Sequence, residues 1–289
     1  MVQPPFPPEL DCSIYRQLHA DLAHMDDEAL RDHYLRHGRA EGRLGNALAE
    51  RQQFAGLIQP EWRALEIGPF AKPMLEGANV VHCDVMGREG LRQRALEVGL
   101  APEHVPDIAY VLGPDGLDAI PEDFDVVLSS HSIEHQPDLV RHLQQVERRV
   151  ERRQGRYFIL APDKRYCFDR AMAPSTIADI VDAHVGGRTA HTLRNVIEHR
   201  ALTTHNDAVT HWRGGEPLAS VDPAMVAAAV SEWQQAAGQY LDVHAWYFTP
   251  DSFEINVGLL NRLGFTRFGV ERIYPTRFGA GEFWAILAL

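Results

Sequence analysis

The stretch ALEIGPFAK, residues 64–72, constrains the fold of this chain more than any other. Its apolar run passes through Glu66 and meets a glycine at Gly68, and a second short run, VVHCD, ends in Asp84. This pattern predicts a strand, a glycine turn, a helix and a second strand closed by an acid. Such a unit is typical of a parallel α/β sheet in which the turn brings the backbone close to a ligand.

The residues after the glycine narrow the kind of ligand. The chain lacks G-x-G-x-x-G here, because Pro69 and Phe70 follow Gly68. No third glycine therefore opens a helix toward a pyrophosphate. We expect an adenosine group without a diphosphate, with Asp84 on a ribose hydroxyl, and S-adenosylmethionine fits this description. An ordinary strand-to-helix turn in another kind of α/β domain is the alternative.

Composition and charge exclude several classes of protein. The 289 residues, 45% of them hydrophobic, suffice for one large domain or a domain with additions. A net charge of −12 argues against a nucleic-acid binder. Three cysteines without CxxC spacing indicate a reduced compartment, and no signal peptide or apolar run of ~20 residues is recognisable. We therefore expect a cytoplasmic protein with no membrane span.

A regular alternation of strands and helices begins near Trp62. The predicted strands are RALEI, NVVHCD, DIAYV (107–111), FDVVLSS (124–130) and RYFILAP (156–162). A helix is predicted from Pro137, and another begins with Thr249 as its cap and ends at Gly264. The chain closes with FTRFGVERIYP and EFWAILAL, which together predict an antiparallel hairpin.

Two further segments differ in character from this core. The strand pattern stops between about 170 and 247, where histidine-rich helical segments predict an insertion that forms a cap over the acceptor side of the sheet. Residues 1–58 predict a helical segment, with Asp26 or Asp27 as a helix cap, whose role is a lid or an interaction surface. The main domain is therefore expected at 59–289.

The strands and the terminal hairpin resemble the class I methyltransferase fold. LEIGP resembles the first motif of that superfamily, and FDVVLSSHSIEHQPD resembles its fourth. The resemblance covers about 60–170 in its motifs and 248–289 in its topology. It implies an α/β, Rossmann-like sheet, mostly parallel with a C-terminal antiparallel hairpin, and S-adenosylmethionine as the cofactor.

The resemblance also implies which residues contact the cofactor. Glu66 and Gly68 would line its methionine and ribose side together with Pro69, and Asp84 would hold the ribose hydroxyls beside Val85. The other implied contacts are Asp115, Gly116 and Leu117 at the adenine, and Ser130 and His131 closing over the cofactor. The pair Pro69-Phe70 departs from the family, in which many members carry a second glycine.

Two more stretches resemble a narrower group. APDKRYCFDR (161–170) and TTHNDAVTHW (203–212) are similar to segments of bacterial methyltransferases encoded with glycosyltransferases. The N-terminal YRQLHADLAHMDDEALRDHYLRHGRAEGR resembles a helical module attached to such surface-glycan enzymes. This likeness implies a glycan or small-molecule acceptor, and it makes a second copy of the chain or a glycosyltransferase the candidate partner.

Transfer of a methyl group to a hydroxyl requires alignment of the reactants and an acceptor for the proton. The favoured candidate base is His205, with Asp207 close in sequence, followed by His135 and by Asp163 at the end of a strand. The acceptor-binding candidates are Arg165, Tyr166, Asn206, His211 and Trp246. Each has a structural alternative in loop orientation, ion pairing or core packing. No HExxH or comparable spacing is present, so a metal-independent reaction is expected.

Three functions therefore compete. The first is O-methylation of a sugar or glycan hydroxyl, and the second is methylation of a phenolic or polyketide-like small molecule. The third is a non-catalytic adenosine-binding module whose N-terminal helices recruit a partner. A mostly apolar acceptor pocket would favour the second over the first, and loss of S-adenosylmethionine binding would favour the third.

Overall fold

A seven-stranded sheet forms the centre of the computed structural model, which describes residues 6–214 and 220–289. The strands are β1 (Ala64–Ile67), β2 (Val80–Asp84), β3 (Tyr110–Val111), β4 (Val126–Ser130), β5 (Arg156–Pro162), β6 (Gly269–Tyr274) and β7 (Glu282–Ala288). Their order is β3-β2-β1-β4-β5-β7-β6, and β7 runs antiparallel to both β5 and β6, whereas the other neighbouring pairs are parallel. The predicted α/β sheet with a C-terminal antiparallel hairpin is confirmed.

Ten α-helices accompany the sheet within the described residues. They are α1 (Cys12–Leu18), α2 (Asp27–His33), α3 (Arg51–Ala55), α4 (Arg88–Glu97), α5 (Leu139–Val150), α6 (Ile177–Val185), α7 (Leu193–Ala201), α8 (Ala208–Trp212), α9 (Pro223–Ala236) and α10 (Pro250–Arg262). Helix α10 begins after a Thr249 cap, as predicted, whereas α5 begins at Leu139 after an Asp138 cap, two residues later than the predicted start at Pro137. None of the described helices is long and apolar enough to cross a membrane.

Side chains on the central strands alternate between two buried cores, one on each face of the sheet. Tyr157 and Ile159 of β5 pack with α5 and α10, whereas Phe158 and Leu160 face the opposite way. That second core includes Phe54 of α3, whose ring stacks at 5.3 Å on Trp284 of β7. The N-terminal segment therefore supplies part of the apolar layer on this face.

The helix predicted between β1 and β2 is wrong, because residues 68–79 form a series of turns. Pro73 has no N–H to donate within this short connection. The backbone N–H groups of Met74 and Leu75 donate instead to the two carboxylate oxygens of Glu66, at 2.7 and 3.0 Å. A buried side chain thus satisfies donors that a helix would have satisfied internally.

Helices α6 to α9 lie in the predicted insertion, and its last segment returns to the sheet. The backbone N–H groups of Ala245 and Trp246 donate to the carbonyl oxygen of Glu134, at 2.7 and 3.2 Å. Glu134 lies in the turn that follows β4. These two bonds fix the end of the insertion against the carboxyl edge of the sheet.

Burial of His142 in α5 gives the fold a pH dependence. Its Nε2 lies 2.8 Å from Tyr157 Oη, and burial lowers the pKa of His142 to about 4. An unfolded histidine has a pKa near 6.5, so between pH 6.5 and about 4 the unfolded chain binds more protons than the folded chain. The free energy of unfolding therefore decreases as the pH is lowered through this range. We expect His142 to lower the free energy of unfolding by about 2 kcal/mol when the pH is lowered from 7.5 to 5. Urea unfolding at both pH values should show a smaller loss for His142→Gln, and an equal loss would contradict the assignment.

Candidate functional site

The sheet order places the candidate site where β1 lies between β2 and β4. Strand β1 pairs with β2 on one side and with β4 on the other, so the direction of winding reverses between β1 and β4. Ligands of open α/β sheets bind at the carboxyl ends of the strands at such a point. Gly68, Asp84 and His131 occupy or directly follow these three ends.

The turn after β1 has an unusual backbone. Gly68 has φ 66° and Phe70 has φ 48°, so both adopt the left-handed conformation. Phe70 thus takes the conformation of a glycine near the place where many members of the resembling family carry one. A Cβ added at Gly68 would have its closest contact at 3.9 Å, with Ser132. The backbone is therefore open to a ligand on this side.

Asp84 lies at the end of β2 and is 8% exposed. Burial raises the pKa of its carboxyl group, and hydrogen bonds from the backbone N–H groups of Met86, Val85 and Phe70 oppose the rise. Asp84 therefore bridges the end of β2 and the turn after β1. Glu66 is 1% exposed, and because its oxygens hold the turn, it shapes the glycine loop from below.

The segment after β3 is fixed by Gln145 of α5. Its Nε2 donates to the carbonyl oxygen of Asp115 at 2.6 Å, and a Cβ added at Gly116 would lie 2.7 Å from its Oε1. Gly116 has φ 58°, so this position favours glycine on both counts. Leu117 is buried in the core and Val85 is half exposed, while Pro69 is buried.

A cavity of about 630 Å³ lies between the carboxyl edge of the sheet and the insertion. Most of the residues that line the cavity are polar or charged. They are Glu50, Arg51, His131, Glu134, His135, His199, Asn206, Asp242, His244, Arg277 and Glu282. The structure thus brings His131, His135 and Asn206 together among the predicted site residues. We call this cavity the acceptor cleft.

His131 stands at the mouth of the acceptor cleft with a left-handed backbone, φ 51°. Its Nε2 lies 2.7 Å from Glu282 Oε2 and 2.8 Å from Arg51 Nη2. Burial raises the pKa of Glu282, but hydrogen bonds from His131 and Arg51 outweigh it and hold that pKa at about 2. A left-handed residue other than glycine costs free energy, and such residues concentrate at functional sites.

His135 lies deeper in the acceptor cleft. Its Nδ1 is 3.2 Å from Asp242 Oδ1, and its ring meets that of His244 edge to face at 4.6 Å. Burial lowers the pKa of His135, but its contacts with Asp242 and Glu134 raise it further than burial lowers it. The same contact lowers the pKa of Asp242 to about 2. His135 therefore lies beside a charged partner, although its Nδ1 makes no hydrogen bond.

His205 lies outside this group of residues. Its exposed ring stacks on His211 at 4.1 Å, and its Nδ1 accepts from the backbone N–H of Asp207. The Asp207 carboxylate caps α8 and does not orient the imidazole. From this loop only Asn206 and Ala208 line the acceptor cleft.

The other predicted site residues make structural contacts. Asp163 is fully buried and accepts hydrogen bonds from Arg165 and Thr276. Tyr166 stacks on Trp212 with ring centroids 3.7 Å apart. His211 donates to or accepts from neighbours within its own loop, and the Trp246 indole N–H donates to Gln136 in the core.

Several residues of the acceptor cleft were not predicted to belong to it. Glu134 was visible only as the acid between two histidines, and His199 and His244 only as members of a histidine-rich stretch. Arg51 and Glu282 come from opposite ends of the chain and carry no local signal.

No protein-family model matches this chain, and no curated protein matches it. Solved structures that it resembles include the CcbJ methyltransferase from Streptomyces caelestis, with 10% identity, a TM-score of 0.42, and 82% of this chain and 92% of that chain covered. An S-adenosylmethionine-dependent methyltransferase from Mesorhizobium loti has 12% identity and a TM-score of 0.40, with 83% and 99% covered.

A third solved structure, an S-adenosylmethionine-dependent methyltransferase from Thermotoga maritima, has 17% identity and a TM-score of 0.30. The match covers 50% of this chain and 61% of that chain, so this chain spans about three fifths of it. All three TM-scores are below 0.5, so these likenesses do not determine the function of this chain.

Proposed function

We propose that this chain is an S-adenosylmethionine-dependent methyltransferase whose acceptor binds in the acceptor cleft. One observation carries the proposal. The Gly68 turn and Asp84 lie at the carboxyl ends of β1 and β2, and His131, which directly follows the neighbouring β4, lines the cleft. A cofactor bound at the Gly68 turn and Asp84 would present its reactive end toward the acceptor cleft.

The loop after β1 supports S-adenosylmethionine over a dinucleotide. A diphosphate is usually bound at a helix N-terminus that follows the glycine turn. Residues 68–79 contain no helix, whereas Asp84 is in place for ribose hydroxyls. In this proposal 115–117 lie at the adenine, and Ser130 and His131 lie toward the sulfonium. The ligand is then an adenosine that carries no diphosphate.

Methyl transfer to a hydroxyl requires acid–base groups, and the acceptor cleft supplies them. The methyl carbon leaves sulfur as its bond to the acceptor oxygen forms, and the hydroxyl loses its proton. Glu134, His135 and His244 form a close group of acid–base side chains in the cleft. We assign activation of the acceptor to this group. His205 lies outside the cleft lining and has no part in the proposal.

The charged and polar side chains among the lining residues support a sugar or glycan hydroxyl as the acceptor. Apolar atoms form slightly more of the exposed lining than polar atoms, so a phenolic or polyketide-like acceptor stays the second candidate. Aromatic side chains in the lining are Phe168 and Trp284, against many charged or amide groups. Sugars match such a lining because they present several hydroxyls to hydrogen-bond at once.

Mass spectrometry of reaction products tests this function. The full chain is incubated with S-adenosylmethionine and a panel of nucleotide sugars, oligosaccharides and phenols. We expect one added methyl group on a sugar oxygen. Methylation of phenols alone would overturn the acceptor class. A chain that binds S-adenosylhomocysteine but methylates nothing in the panel would overturn both acceptor classes.

A further inference from the structure

Glu134 is a buried carboxylate whose surroundings are incomplete. The residue is 0% exposed, and neither side-chain oxygen has a hydrogen-bond partner among the residues that the structure describes. A buried carboxylate without a partner costs several kcal/mol, so proteins pair it or use it to hold a cation. We therefore expect a further group, such as a cation, to bind beside the Glu134 carboxylate.

Three imidazole rings place a nitrogen within 4 Å of the same oxygen of Glu134, and the nearest nitrogen is His131 Nδ1, at 3.6 Å. His135 Nε2 lies 3.8 Å and His244 Nε2 lies 3.9 Å from Glu134 Oε1. These distances are too long for hydrogen bonds. They are close to the spacing of ligands around a shared ion, since two donors about 2.1 Å from a tetrahedral zinc lie roughly 3.4 Å apart.

The other nitrogen of the His135 and His244 rings faces a carboxylate. His244 Nδ1 is hydrogen-bonded to Asp169 Oδ2 at 2.7 Å, whereas His135 Nδ1 lies 3.2 Å from Asp242 Oδ1 without a hydrogen bond. In metal sites a carboxylate typically accepts the N–H of a histidine ligand and thereby directs the lone pair of its other nitrogen toward the metal. His244 has this arrangement, and Asp242 places a negative charge beside the His135 ring.

The backbone fixes the same geometry across the insertion. The carbonyl oxygen of Glu134 accepts from the N–H groups of Ala245 and Trp246, directly after His244. His244 and Glu134 therefore cannot separate without breaking both bonds. An ion pair between Glu134 and a protonated histidine would draw the groups to hydrogen-bond distance. The observed separations of 3.8 and 3.9 Å leave room for an ion between the three groups.

We propose that Glu134, His135 and His244 bind one divalent transition-metal ion, for which zinc is the best match. Two imidazoles and a carboxylate are a ligand set that zinc accepts, and three protein ligands leave a fourth position open. That position would face the acceptor cleft, which all three residues line. The site revises the metal-independent reaction expected from the sequence.

The role of the ion rests on the proposed function, whereas its binding does not. An ion in this position would hold an acceptor oxygen and lower the pKa of a bound hydroxyl. His135 would then serve as a ligand, and Asp169 and Asp242 would act as positioning residues. The ion would thereby favour an oxygen nucleophile over an apolar acceptor.

Metal titration of the full chain tests the site without cofactor or acceptor. The protein is stripped with a chelator, dialysed, and titrated with zinc by calorimetry and with cobalt(II) by visible absorption. We expect one ion per chain and the intense bands of a low-coordinate cobalt site. Asp169→Asn should weaken zinc binding by about 10–100-fold. Glu134→Gln and His244→Ala should weaken it further.

His205→Ala is the matched control, because His205 is a histidine of the insertion that lies outside the three ligands. It should bind zinc as the wild type does. Circular dichroism identifies any variant that fails to fold, and Glu134→Gln, which preserves shape, carries the test if His244→Ala unfolds. Absence of zinc binding by the wild type, or unchanged binding by Glu134→Gln, would overturn the site. A chain that binds S-adenosylhomocysteine but no zinc would refute the metal site and leave the proposed cofactor site standing. A chain that binds zinc but no S-adenosylhomocysteine would refute the cofactor site and leave the metal site standing.

Discussion

His135→Ala is expected to lower turnover by about 10²–10⁴-fold and to leave the affinity for S-adenosylhomocysteine unchanged. His135 lies in the acceptor cleft, where Asp242 Oδ1 lies 3.2 Å from its Nδ1 and Glu134 Oε1 lies 3.8 Å from its Nε2. Losing it removes either a proton acceptor or an ion ligand at the place where the acceptor hydroxyl reacts. Single-turnover assays with the acceptor found by mass spectrometry provide the rate, and calorimetry provides the affinity.

The comparison with His205→Ala makes the result specific. The exposed His205 ring stacks on His211 outside the cleft lining, so its removal should leave turnover within a few-fold of the wild type. A large loss with His205→Ala and near-normal turnover with His135→Ala would move the proton acceptor to the loop before α8. The proposed role of the turn after β4 would then be wrong.

Asp84→Ala is expected to weaken cofactor binding by about 1.5–3 kcal/mol, or roughly 10–150-fold. Its carboxylate lies at the end of β2, next to the turn after β1, and would accept hydrogen bonds from both ribose hydroxyls. Titration with S-adenosylhomocysteine measures the loss. Asp107→Ala is the control, because this surface carboxylate pairs only with Arg88 among the described ion pairs.

Asp84→Asn separates the charge from the shape of the side chain. It should lose less affinity than Asp84→Ala, because its amide oxygen still accepts one hydrogen bond. Thermal melts of both variants show whether loss of affinity follows loss of folding. Wild-type affinity in a folded Asp84→Ala variant would remove Asp84 from the ribose site.

The positions of the strands along the chain were predictable because they depend on local patterns. Short runs of branched apolar residues, such as 124–130 and 156–162, identify buried parallel strands without reference to the rest of the chain. The helix after Gly68 was predicted wrongly for a tertiary reason. The buried Glu66 carboxylate binds the N–H groups of Met74 and Leu75, and no periodicity reports that contact.

The candidate site was predictable only where it is continuous in sequence. His131 and His135 were identified because they directly follow a recognisable strand. His244, Asp242 and Glu282 reach the same cleft through the return of the insertion and the hairpin, which tertiary packing determines. Proximity in sequence suggested that Asp207 orients His205, whereas the carboxylate caps a helix.

The central claim is that the carboxyl ends of β1 and β2 form a site for S-adenosylmethionine. Calorimetric titration of the wild-type chain with S-adenosylhomocysteine tests it most directly, with ADP as a ligand that shares the adenosine but adds a diphosphate. We predict one molecule of S-adenosylhomocysteine bound per chain, and weaker or no binding of ADP, because no helix follows Gly68 to receive its phosphates. Absence of S-adenosylhomocysteine binding at millimolar concentration, or tighter binding of ADP, would contradict the account.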